Sequence, residues 1–135
     1  MSAEDIRRLG ELYDRFNREG PSALGAIVEE FWDPEIVYQE DPRWPGARTY
    51  RGRDAVAEAF FADVAALGIV RVALEEVVER GEDIAWVLHT WGRSEHGDVP
   101  NEHRWGYVGR FKDGKVVFFQ AHYDPAGAVG PPSRR

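Results

Sequence analysis

Apolar residues return every three or four positions at the start of the chain, with Ile6, Leu9, Tyr13 and Phe16 on one side of a helix. Ser2 and Asp5 form a capping-box pattern ahead of them. Gly20-Pro21 breaks this helix and starts a second, whose apolar side carries Leu24, Ile27, Val28 and Phe31. Asp33-Pro34 is expected to end it. A short strand, Glu35 to Asp41, leads into the turn-forming run Pro42-Arg43-Trp44-Pro45-Gly46-Ala47. Gly52-Arg53-Asp54 opens a third helix that buries Val56, Ala59, Phe60, Val64 and Leu67.

After Gly68 the period changes from helical to two. Val70, Val72, Leu74, Val77 and Val78 predict a strand, and the slip in alternation at Glu75-Glu76 predicts a bulge. Gly81-Glu82-Asp83 is a turn, Ile84 to Arg93 a second long strand, and Ser94 to Asn101 a polar connection. His103 to Phe111 and Lys115 to Tyr123 are two further strands, joined by the hairpin turn Lys112-Asp113-Gly114. Helices first and strands gathered afterwards predict an α+β fold: a curved antiparallel sheet wrapped around three helices. Such a sheet leaves a cone-shaped hollow between its layers, where a small molecule fits.

Composition narrows this picture. The 135 residues make one domain, read as 1–125 with a Gly-, Pro- and Ser-containing tail over 126–135. A chain of this length buries roughly 70% of its unfolded surface and needs no metal or disulfide staple. Cysteine is absent, which excludes disulfides, thiol nucleophiles and cysteine-ligated metals. A formal charge of −7 makes phosphate backbones poor partners, so no nucleic acid is expected. The N-terminus has no apolar signal core and nothing reaches the roughly 18 apolar residues of a membrane span, so a cytoplasmic protein without a membrane partner is expected. Five Trp, five Tyr and seven Phe are many rings for so small a chain; they make either a bulky core or the wall of a hollow.

The stretch Phe31-Trp32-Asp33-Pro34-Glu35-Ile36-Val37-Tyr38-Gln39-Glu40-Asp41-Pro42 resembles the nuclear-transport-factor-2-like superfamily, and within it the SnoaL-like polyketide cyclases and the ketosteroid isomerases. Thr49 to Val56, Gly109 to Val116 and His122-Tyr123-Asp124 carry the same resemblance, which spans nearly the whole chain. It implies the cone-shaped fold, a homodimer, an apolar carbonyl ligand and no cofactor or metal. Ketosteroid isomerases hold their general base in a Glu-Asp-Pro step, which places that role on Asp41. Their first oxyanion donor falls on Tyr13, with Asn17 in register between it and Gly20. Tyr107 replaces the second donor, a protonated aspartate in those enzymes, and this departure puts the steroid reaction itself in doubt. SnoaL-type cyclases use an acidic group late in the chain, which points to Asp124.

Each candidate has a plainer reading beside it. Asp41 before proline is also a common turn former. Tyr13 on an apolar helix face is also a core tyrosine. His103, Trp105 and Tyr107 alternate onto one strand face, where His103 is either a proton relay or a rim residue in water. Phe119, Ala121 and Tyr123 are expected to point inward, and Phe118, Gln120 and His122 outward onto a dimer face. Which of Trp86/Leu88/Thr90 and His89/Trp91 faces inward stays open. Glu95, His96, Asp98, Glu102 and His103 follow no recognised ligand spacing, which favours a solvated loop over a metal centre. Arg51 and Arg53 flank Gly52 as anchors of the third helix, and Trp44 either closes the mouth or packs over it.

The expected site therefore has Asp41, Tyr13, Tyr107, His103 and Asp124 as catalytic candidates. Tyr38, Trp44, Phe60, Trp105, Phe119 and Tyr123 are its candidate ligand contacts. The chemistry such groups support is proton abstraction beside a carbonyl, as in isomerisation, cyclisation or dehydration. The carboxylate–phenol arrangement is that of ketosteroid isomerase, the standard case of this tuning. The competing readings are a binding or assembly module without chemistry, and a hollow filled by its own rings.

Overall fold

The computed structural model describes residues 2–94 and 98–130. Helix α1 (Ser2–Glu19) and helix α2 (Leu24–Phe31) are joined by a single 3-10 turn at Pro21–Ala23. Strand β1 (Trp32–Gln39), the short β2 (Thr49–Arg51) and helix α3 (Arg53–Leu67) follow. The chain then runs through β3 (Ile69–Arg80), β4 (Asp83–Arg93), β5 (Pro100–Lys112) and β6 (Lys115–His122) to a one-turn helix, α4 (Ala126–Val129). The six strands form one sheet in the order β2-β1-β6-β5-β4-β3, an α+β arrangement. All neighbours are antiparallel except β1 and β6, which run parallel.

The bulge read from the broken alternation lies between Leu74 and Glu76. Strand β1 starts earlier than expected: Asp33-Pro34 lies inside it, not at a helix end. Pairing with β6 is interrupted between Trp32 and Val37, so the amide that Pro34 lacks falls where the ladder is already irregular. The Ser2 side chain, half of the expected capping pair, lies outside the described residues.

Leu9 and Phe16 of α1, Ile27, Val28 and Phe31 of α2 and Val56 of α3 pack against the inner sheet face in one buried cluster. Asn17 ties α1 to the sheet as an extra strand residue would: its amide donates to the Val72 carbonyl (2.8 Å) and accepts from the Val72 N–H (2.9 Å). At its far end α3 stops at Gly68 in a left-handed conformation, where a Cβ would lie 1.8 Å from the Arg93 carbonyl oxygen. Only glycine allows the helix end to approach β4 that closely.

Residues 126–130 are not the frayed tail expected from their composition. Ala128 and Val129 are buried in a second apolar cluster with Ala85 and Val87 on the outer sheet face. Gly106 makes room for them, since a Cβ there would lie 2.8 Å from the Ala128 Cβ. The Arg80 guanidinium donates to the Ala128 carbonyl (2.7 Å) and latches the turn. Burying two small apolar residues outweighs the flexibility that Gly and Pro suggested. Among the described residues no helix is long and apolar enough to cross a membrane.

Candidate functional site

A cavity of about 380 Å³ lies between the three long helices and the inner sheet face. The alternation of β4, β5 and β6 builds its floor: Trp86, Leu88 and Thr90, then Trp105 and Tyr107, then Phe119, Ala121 and Tyr123. The question left open on β4 is thereby answered. His89 and Trp91 face outward, where the buried His89 ring stacks on Trp91 at 3.8 Å. Its two nitrogens meet the carboxylates of Glu75 (3.2 Å) and Glu102 (2.8 Å), and Glu75 also accepts from Arg104 (2.8 Å).

The deep end of the cavity holds phenols. Tyr13 accepts a hydrogen bond from the Trp86 indole N–H at 3.0 Å, leaving its own proton free to be donated. Trp86 stacks on Tyr107 at 5.6 Å. Tyr107 is buried and lines the cavity, and its hydroxyl has no hydrogen-bond partner among the described residues. Burial pushes both phenols well above their ordinary pKa, so each stays protonated and can only donate or accept a hydrogen bond. On one wall the Trp105 indole donates to the Thr90 hydroxyl at 3.0 Å.

The mouth holds Asp63, on α3, the only carboxylate that lines the cavity among the described residues. Among the described residues it has no hydrogen-bond or ion-pair partner. Partial burial, and then the negative charge of Glu40, raise its pKa. Sequence reasoning missed this residue, although the signal existed: Asp63 falls three positions after Phe60 and four before Leu67, in the middle of an otherwise apolar helix face. Tyr123 lines the same mouth, and Trp44 packs on it edge-on at 5.1 Å.

Of the expected ligand contacts, Tyr38, Phe60, Trp105, Phe119 and Tyr123 line the cavity, as do Tyr13 and Tyr107. Trp44 does not; it is 58% exposed and covers Tyr123 from outside. Asp41 does not either. It is buried, with Oδ1 accepting from the Arg43 amide and Oδ2 from the Tyr123 amide, both at 3.0 Å. Burial works against its charge, but the two amides and the Arg43 guanidinium outweigh it and hold the pKa below the usual carboxylate value. This is the carboxylate of a turn, tying β1 to the end of β6, and both its oxygens are occupied.

His103 shares the inner face, opposite Thr90, and stacks on Trp105 at 5.1 Å, but it lies outside the cavity lining. Asp124 is exposed and accepts the Ala126 amide at 3.1 Å, which starts α4. Its position late in the chain serves that turn. His122 lies against Gly127, so part of the face expected to meet a second subunit is covered by the chain's own α4. Burial lowers the His122 pKa, and Asp41 opposes that shift. Of the residues weighed as a metal cluster, Glu95 and His96 lie outside the described residues, while Glu102 turns to His89 on the outer face. Arg53 anchors the start of α3 by donating to the Trp32 and Glu29 carbonyls, at 3.3 and 3.4 Å.

Solved structures of the same fold are numerous. An NTF2-like protein of unknown function from Burkholderia pseudomallei is 21% identical, with 92% of this chain and 93% of that one covered and a TM-score of 0.66. A candidate isomerase from Bacillus subtilis is 14% identical over 95% and 94% of the two chains, with a TM-score of 0.73. A candidate SnoaL-like polyketide cyclase from Jannaschia sp. CCS1 is 16% identical over 96% and 94%, with a TM-score of 0.70. These likenesses show the shared fold. No curated protein sequence matches the chain at a significant level. The family model for the SnoaL-like domain matches residues 9–119, from the first buried leucine of α1 to the cavity-lining Phe119, and the chain belongs to that SnoaL-like family.

Proposed function

We propose that this protein is a cofactor-independent acid/base enzyme acting on an apolar cyclic carbonyl compound, with Asp63 as its proton carrier. One observation carries the reading. Among the described residues, the apolar, ring-lined cavity contains a single carboxylate, without a hydrogen-bond or ion-pair partner, and a buried phenol whose hydroxyl has none either. A carboxylate with a raised pKa is a usable base and, once protonated, a usable acid. Asp63 removes a proton from the carbon beside the carbonyl. The C–H electron pair becomes the enolate, whose oxygen accepts a hydrogen bond from Tyr107. Return of the proton from Asp63 to another carbon completes an isomerisation; attack of the enolate carbon on a second carbonyl gives an alkoxide, which takes the proton back from Asp63 to complete a cyclisation. The isomerase and cyclase descriptions of the similar structures accord with this chemistry. The half-buried Phe118 and Gln120, outside the part of the sheet that α4 covers, support a homodimer through that face, which sedimentation would test.

The direct test is solvent deuterium exchange at the carbons beside the carbonyl of a panel of cyclic ketones, followed by proton NMR. Exchange that depends on Asp63, and is lost in Asp63→Asn with the fold intact by circular dichroism, is expected. Binding without exchange in the unaltered protein would instead establish a binding module.

A further inference from the structure

The charge of the site carries its own information about the ligand. Among the described residues no Lys, Arg or His lines the cavity, and Asp63 is its one charged group. Two residues past the cavity-lining Tyr38 comes Glu40, half-buried just beyond β1, its Oε1 accepting the Arg48 amide at 2.9 Å. Glu40 itself is outside the lining, but by strand alternation it follows Tyr38 on the same side of the chain, and its charge opposes ionisation of Asp63, Tyr38 and Tyr123. The guanidinium of Arg43 is turned toward Asp41 (3.6 Å) and the Gly127 side of the sheet, away from the lining. A ligand entering here meets negative charge at the mouth, apolar rings along the walls and a free hydroxyl of Tyr107 at depth. Low-dielectric walls strengthen such a field over what it would be in water.

We infer that Glu40 and Asp63 together make the mouth a charge filter, which admits uncharged ring ketones and rejects counterparts carrying a carboxylate or phosphate. The inference rests on the cavity being the ligand site, as proposed above, and adds a specificity residue, Glu40, that takes no part in the proton transfer. A ligand with an acidic group would have to place it against Asp63 or bury it among rings, and neither position offers a countercharge. An uncharged ketone pays no such cost and can give its oxygen to Tyr107.

The test uses a matched pair of probes, a naphthyl methyl ketone and the same ketone bearing a ring carboxylate. Binding is followed through the fluorescence of the cavity tryptophans at a pH where both mouth carboxylates are ionised. The neutral ketone is expected to bind at least about tenfold more tightly than the carboxylate. Glu40→Gln, which keeps an acceptor for the Arg48 amide, should shrink that ratio several-fold, chiefly by tighter binding of the carboxylate probe. Asp63→Asn should shrink the ratio further. Equal binding of the two probes to the unaltered protein, or a ratio indifferent to both substitutions, overturns the filter. Loss of all binding overturns the cavity as ligand site and the filter with it. Discrimination without deuterium exchange leaves the filter standing and overturns only the proposed chemistry.

Discussion

The end of β1 and the cavity-facing side of α3 each carry an aspartate whose charge reaches Tyr123, yet the two carboxylates are held in opposite ways. Asp41 is buried and both its oxygens accept backbone amides, so its charge is spent on holding a turn. Asp63 is exposed at the cavity mouth, has no partner among the described residues and stands near another negative charge. The structure thus separates a carboxylate held by two backbone amides from one that lines the cavity without a hydrogen-bond partner among the described residues. A carboxylate stabilised by two amides is the weaker base, and one without such donors keeps more of its basicity and does less for the fold.

Replacing the two residues should break the comparison most sharply in rate. Asp63→Asn is expected to lower deuterium exchange by about 10²- to 10⁴-fold, the usual contribution of a general base. Asp41→Asn should leave the rate per folded molecule nearly unchanged. Stability should show the reverse. Asp41→Ala leaves the part-buried amides of Arg43 and Tyr123 without their acceptor, and its urea midpoint should report a loss of about 1 to 2 kcal/mol. Asp63→Asn should unfold at equal or higher urea concentration at neutral pH.

The same division runs between the two phenols at depth. Tyr13→Phe removes the acceptor of a buried indole N–H and should cost about 1 kcal/mol. Tyr107→Phe removes a hydroxyl with no protein partner, so stability should change by less than about 0.5 kcal/mol. Exchange should nevertheless fall by about 10- to 100-fold if that hydroxyl holds the enolate oxygen.

Acid should sharpen the contrast with the smallest effect. The pKa of Asp41 is lowered in the fold, so its stabilisation is present above the ordinary carboxylate value and is lost as pH falls through the lowered one. The pKa of Asp63 is raised, so its ionisation weakens the fold above that raised value, and the penalty vanishes as pH falls below the ordinary one. Unfolding measured between neutral and acid pH should therefore show the Asp41→Asn deficit and any Asp63→Asn gain both shrinking. The rate should rise with pH through a midpoint above that of an ordinary aspartate.

Most of the fold could be read along the chain. Helix α1, the β3 bulge and the hairpins follow from periodicity and turn chemistry, because each depends on neighbours a few residues away. The ring-bearing lining residues Phe60, Trp105, Tyr107 and Phe119 were also legible, since alternation and helical spacing fix which face a side chain takes. Composition misled at 126–130, where two small apolar residues pack on the outer sheet face, Ala128 directly against Gly106, a hairpin away in the chain.

The sequence by itself determined the elements, the family and the aromatic wall of the cavity. Only the tertiary structure decided which aspartate is held by donors and which lines the cavity. Asp41 sits in a motif that matches a catalytic pattern, but the Tyr123 amide that occupies its second oxygen arrives from 82 residues away. Asp63 sits in no motif, and its lack of a partner is a property of everything that packs around it. Whether a carboxylate is satisfied or free depends on donors brought by distant strands, and no local pattern records their arrival.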